Sequence, residues 1–133
     1  MKNKRKRILI IVILVIAVIL VGAMVVMARL EASLKALESM PIAQIDLGTV
    51  ADGVYAGSYS VLPVSVQVSV TVKSHVITDI RLVKHSNGLG AAAEAIPGKV
   101  VEAQSLAVDS VSGATYSSRV ILKAIENALL GPK

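Results

Sequence analysis

The chain contains no cysteine, no phenylalanine and no tryptophan, and three tyrosines are its only aromatic residues. Without cysteine there are no disulfides, no thiolate metal sites, no cysteine nucleophile and no lipid anchor on an N-terminal Cys. An exported protein is still allowed, because oxidising compartments permit disulfides without requiring them. Histidine is nearly as scarce. His75 and His85 stand ten residues apart with no HExxH-type partner, which argues against a metal site. Excess charge is also missing from most of the chain: from Asp46 onward seven basic residues are matched by seven acidic ones. The formal net charge of +5 therefore belongs to the N-terminus, where Lys2, Lys4, Arg5, Lys6 and Arg7 cluster. A nucleic-acid partner would need a basic face on the folded domain with stacking aromatics, and neither is present, so nucleic acid is excluded.

What the sequence does have is a long apolar run. Ile8 to Ala28 form 21 consecutive apolar positions, 15 of them Ile, Leu or Val. As a helix rising 1.5 Å per residue this stretch spans about 31 Å, close to the roughly 30 Å hydrocarbon core of a bilayer. A cleaved signal peptide has a shorter apolar region ending in a small-x-small site, whereas here Met24 to Met27 carry the apolar run past Gly22 and Ala23. The five cations ahead of the run, against Arg29 and Lys35 offset by Glu31 and Glu38 behind it, put the N-terminus in the cytoplasm and all that follows outside. The expectation is a single-pass protein of a bacterial cytoplasmic membrane, its lipid bilayer the first partner. Residues 1–7 form a basic tail, 8–28 a transmembrane helix, 29–45 a helical stalk and linker, and 46–133 an extracytoplasmic domain.

Leu30, Leu34 and Leu37 share one side of a helix continuing from the membrane, until Pro41 ends it. Asp52 to Ser60 read as a first strand opening on an Asp-Gly turn. Next, Val64, Val66, Val68, Val70 and Val72 alternate with Ser65, Gln67, Ser69, Thr71 and Lys73, the mark of a strand apolar on one face only. Residues 76–84 repeat a weaker alternation after a tight Ser74-His75 junction, which makes a hairpin, with His75 exposed at its tip. Helical candidates follow at 91–105, interrupted into two pieces by Pro97-Gly98, and at 117–130, where Ile121, Ala124, Ile125, Ala128 and Leu129 form a stripe. The fold class is therefore α+β: a small antiparallel sheet with helices packed on one face, preceded by one N-terminal transmembrane helix.

Between the helical regions lies Leu106 to Ser118, LAVDSVSGATYSS, dense in small hydroxyl residues and glycine. Thr115 offers a reachable hydroxyl, and Gly113 and Ala114 keep its surroundings free of bulk. Ser117 or Ser118 could cap the next helix, whose N-terminus favours an anion beside Thr115. As a bare Ser-Gly-Ala-Thr, the same residues would mark a turn and an N-cap. Asp109 to Thr115 resembles the Asp-x-x-Ser/Thr-Gly-Ala-Thr signature of the FMN-binding domain family, in which a flavin transferase esterifies FMN through its phosphate to the last Thr. The resemblance covers about Gly53 to Leu129: the glycine-containing first strand, the valine strand, Ile77-Thr78-Asp79-Ile80, a His followed by Gly-x-Gly, Glu102-Ala103-Gln104-Ser105, then the motif and a final helix.

The resemblance implies FMN as a covalent cofactor on Thr115, with Asp109, Ser112, Gly113 and Ala114 in the sequence the transferase reads. Ser117 and Tyr116 would lie beside the attachment point, and Tyr116 could stack on the ring or be a partly buried tyrosine. His85, Gly88 and Gly90 fall where the family has a His-x-Glu-Thr-Pro-Gly-x-Gly loop near the flavin ring. Here the Glu-Thr-Pro element is missing, so those three could equally be ordinary loop positions. With no acid–base pair and no substrate-sized constellation, catalytic residues are not assigned. The expectation is an electron-transfer carrier whose partners are the flavin transferase and a membrane oxidoreductase or quinone-linked donor. Alternatives are a membrane-anchored interaction module of the same fold without flavin, and a flavin-dependent reductase of a small molecule.

Overall fold

A computed structural model describes residues 1–86 and 90–131. The chain divides into two compact units, 1–35 and 36–133. The first is helix, part of α1 (Lys2–Ser39), and its apolar segment is exposed along its whole length. This is a helix long and apolar enough to cross a membrane. No Gly or Pro inside Ile8–Val21 breaks the helix, and the β-branched Ile and Val have no strand partner to satisfy their backbone groups otherwise.

The second unit is built on a three-stranded antiparallel sheet in the order β1 (Gly53–Val61), β2 (Val64–Lys73), β3 (Val76–Ser86). The valine alternation dictates the result. Val64, Val66, Val68, Val70 and Val72 are all buried, while the serines, Gln67, Thr71 and Lys73 between them face the other way. The β2–β3 hairpin turns on Ser74 and His75, both at positive φ (53° and 60°), the backbone that a two-residue primed turn requires. The β1–β2 turn contains a cis Leu62–Pro63 bond.

Helix α3 (Thr115–Leu130) covers β1 and β2, and α2 (Ile96–Ala103) lies against β3, so the helices sit on one face as the patterning implies. The expected α3 stripe is buried throughout. Gly57 makes the closest approach: a Cβ there would overlap the Ala124 carbonyl oxygen and the Ala128 nitrogen and Cβ, so only glycine lets β1 lie directly on α3. The region 91–105 does form two pieces, a 3-10 helix at Ala91–Ala95 and then α2, but Pro97 is not the interruption. It occupies the first turn of α2, where its missing N–H costs nothing, and the joint precedes it. The helix ends at Ala103 rather than 105, because Gln104 turns left-handed (φ 51°) and uses its carboxamide on the free edge of β3. Its Oε1 accepts the Ile77 N–H (2.8 Å), and its Nε2 donates to the Ile77 carbonyl (2.8 Å) and the Val101 carbonyl. A side chain thus takes the place of a fourth strand at that residue.

Residues 36–45 pack into this unit. Leu37 is 2% exposed, and Met40, Ile42 and Ile45 lie against the same core. Two long side chains of α3 hold the segment. Arg119 donates to the carbonyls of Leu37 and Glu38 in the last turn of α1 and of Met40 just beyond it. Glu126, buried, accepts the Ala43 N–H (3.0 Å) and pairs with Lys123 (2.9 Å).

Candidate functional site

The loop 107–111 runs into a turn closed by the Ala114 N–H donating to the Val111 carbonyl (2.9 Å). Ser112 and Gly113 are its exposed central residues, and Gly113 takes the positive φ (78°) that the third position of a type II turn demands. Helix α3 begins at once after it, with Ala114 as N-cap and Thr115 as first helical residue. Capping by Ser117 or Ser118 is therefore not what the structure shows: both lie within the first turn, buried, and the Ala114 cap has no side-chain hydrogen bond. The reason is the glycine turn, which lets the helix start two to three residues earlier than either serine.

Ser118 holds the turn together. Its Oγ accepts the Val111 N–H (3.0 Å) and donates to the Ala114 carbonyl (2.7 Å), so one fully buried hydroxyl ties both ends of Val111–Ala114 to the helix. Above this anchored base Thr115 is exposed, and the N–H groups of Thr115, Tyr116 and Ser117 have no carbonyl one helical turn earlier within α3. Asp109 is exposed in the loop before the turn.

Tyr116 fixes where this loop meets the sheet. Its hydroxyl donates to the carbonyls of Val61 (3.1 Å) and Leu62 (2.9 Å), in the β1–β2 turn. Burial, and secondarily the neighbouring Tyr59, push the Tyr116 phenol above its usual value, so the donor keeps its proton well into the alkaline range. Just inside the same turn the cross-strand register sets Tyr59, Val66 and His85 in a row. Thr115, Tyr116 and His85, far apart in sequence, thus come to one end of the sheet.

His85 faces inward, its side chain only 3% exposed, with Nδ1 3.2 Å from Oε1 of Glu94 in the 3-10 helix after Gly90. Its Nε2 is buried and has no hydrogen-bond partner among the described residues. Gly90 is buried and its carbonyl accepts the Ala93 N–H at the start of that 3-10 helix. Gly88, with Asn87 and Leu89, lies outside the described residues. His75, exposed as expected of a hairpin tip, is nonetheless engaged: its Nδ1 donates toward the carbonyls of Leu47 and Val50, both at 3.2 Å.

Glu94 and Ser118 were not legible as site residues. Ser118 had a local signal, a hydroxyl four residues after the turn's last residue, where a helical Ser reaches an i−4 carbonyl. Glu94 had none. A cavity of about 330 Å³ on the open face of the sheet, lined by Ala56, Ser58, Gln67, Ser69, Val83 and Asn127 among others, includes no residue of the Thr115 loop and is not part of this site.

The arrangement offers an exposed hydroxyl at a helix start, space around it, unshared backbone N–H groups for an anion, and a buried imidazole nitrogen awaiting a partner. A family model described as an FMN-binding domain matches residues 63–130. Comparison with curated proteins gives no match.

Proposed function

This chain belongs to the FMN-binding domain family, and from that premise we propose that it is a membrane-anchored flavoprotein with FMN ester-linked through its phosphate to Thr115, working outside the cytoplasmic membrane as an electron carrier. The single observation that carries the reading is the position of Thr115, exposed on the first turn of α3 at the end of a glycine turn. The residues fit the cofactor on a second count, because Nε2 of His85 is a buried polar atom that has no partner among the described residues, at the same sheet end.

In this reading Thr115 Oγ1 holds the phosphate, and the N–H groups of Thr115, Tyr116 and Ser117 with the helix dipole favour its charge. Gly113 and Ala114 leave the hydroxyl open to a flavin transferase, which reads Asp109 and Ser112 in the same loop. Ser118 keeps the turn in one conformation, and Tyr116 pins it to the sheet. His85 and Gly90 would lie toward the ring. The flavin supplies reversible acceptance of electrons, and the protein positions it and sets its surroundings. The five N-terminal cations support an inside N-terminus, so the domain works on the outer side, where a membrane oxidoreductase or a quinol is the donor. Tethering keeps the cofactor near such partners.

Intact-mass measurement of the full chain co-expressed with a flavin transferase tests the reading. The expected result is a mass increase of one FMN ester that is absent from Thr115→Ala. An unmodified wild-type chain, beside a labelled control substrate, would contradict it and favour an interaction module of this fold without flavin.

A further inference from the structure

We propose that His85 and Glu94 form a proton-accepting pair for the flavin, Nε2 of His85 taking up one proton when the flavin is reduced; the inference rests on the flavin-carrying reading above. The tautomer follows from the contact. A carboxylate only accepts hydrogen bonds, so Glu94 holds a hydrogen on Nδ1 (3.2 Å), which leaves Nε2 as the nitrogen that gains or loses the ring's second proton. That nitrogen is sealed from water and receives no hydrogen bond from any described residue. Native proteins rarely leave such an atom unmatched except where a ligand or a reaction uses it.

The register gives the place. His85 lies in the row Tyr59–Val66–His85 beside the β1–β2 turn, and Tyr116 ties the start of α3, and with it Thr115, to that turn. The charge balance gives the role. Flavin that takes two electrons and one proton, on N5, gains one net negative charge, and a buried charge needs a counter-charge. A quinol donor is oxidised to quinone and releases two electrons and two protons: one proton goes to N5, and the second to Nε2 of His85. The resulting imidazolium, held by the Glu94 carboxylate at Nδ1, would offset the charge of the reduced ring, and reoxidation would release both protons.

Among the described residues no other group at this end suits the second proton. Here β2 presents Val64, Val66 and Val68 to the core. β1 and α3 present Tyr59 and Tyr116, phenols that already carry a proton of their own, and burial pushes the Tyr116 phenol above its usual value. On α2, Lys99 and Glu102 are exposed.

The test uses the full chain in lipid nanodiscs, with FMN loading verified by intact mass before any redox titration. The midpoint potential is followed against pH in the mildly alkaline range and read as protons taken up per two electrons, with free FMN, which takes one, as control. Wild type is expected to take two, and His85→Gln, in the fraction that carries FMN, one. Glu94→Gln keeps the second proton only at lower pH, since the carboxylate no longer favours the imidazolium. A loaded wild type that takes one proton, a loaded His85→Gln that still takes two, or a Glu94→Gln profile identical to wild type overturns the pair. Should His85→Gln fail to load, the wild-type count and the Glu94→Gln profile decide. Failure of wild type to load FMN is seen in the mass spectrum and overturns the flavin reading itself.

Discussion

The two histidines lie at opposite ends of the same strand and have opposite environments. His75, at the hairpin end, is exposed, yet its Nδ1 reaches two carbonyls. Around it Asp52 accepts the Ser74 N–H (2.7 Å) and Gln104 saturates the Ile77 peptide. The His85 side chain, at the other end, is buried, yet one of its nitrogens has no partner among the described residues. Exposure alone would rank the two in the wrong order. An exposed group fully matched to its neighbours is structure, whereas a buried group left unmatched marks the end of the domain that is built for something else. The exposed Thr115 hydroxyl belongs to that second end.

Substitutions can break or sharpen this contrast. The largest effect is expected from Gly57→Ala, which drives β1 off α3 and so disturbs both ends together. It should cost about 3 kcal/mol, seen as a large fall in melting temperature, because the atoms it meets are helix backbone. Gln104→Ala and Ser118→Ala separate the ends. Gln104→Ala removes three hydrogen bonds from the closed end and should cost about 2 kcal/mol while leaving FMN loading unchanged. Ser118→Ala leaves the part-buried Val111 N–H without its acceptor, about 1–2 kcal/mol, but here loading should fall as well, because the turn presenting Thr115 is no longer fixed. Equal loading of the two variants would mean that the turn's order does not matter to the transferase. The smallest effect is a gain. Ser74→Asn places a residue tolerant of left-handed backbone at φ 53° and should raise stability by about 0.5 kcal/mol, read from denaturant unfolding.

Period-two and long-run patterns were fully legible in the sequence. The valines of β2, the stripe of α3 and the apolar run of α1 each repeat one instruction many times, so an isolated exception does not obscure them. The Ser74-His75 turn and the Asp109–Thr115 loop could likewise be read locally. Illegible were the contacts in which one side chain acts at long range. Arg119 reaches the end of α1 and Glu126 the Ala43 N–H, from a helix whose pattern shows only that it has an apolar side. Glu94 meets His85 only because β3 and the 3-10 helix fold together, and no local pattern announces that contact. The serine caps failed for a local reason: the helix begins at the first residue that the Gly113 turn allows, and Ser117 and Ser118 come too late to cap it. Gly57 carried a signal that could have been used, since glycine inside a strand often means that another backbone comes close.

The central claim is that the one exposed hydroxyl at the start of α3 bears the flavin, and peptide mapping tests it most directly. After expression of the full chain with a flavin transferase, tryptic cleavage releases residues 100–119, which contain Thr115 together with five serines. The account predicts that this peptide carries one FMN ester and that its fragment ions place the ester on Thr115. An unmodified peptide from a chain made beside a labelled control, or an ester on Ser112 or any other serine, would contradict it.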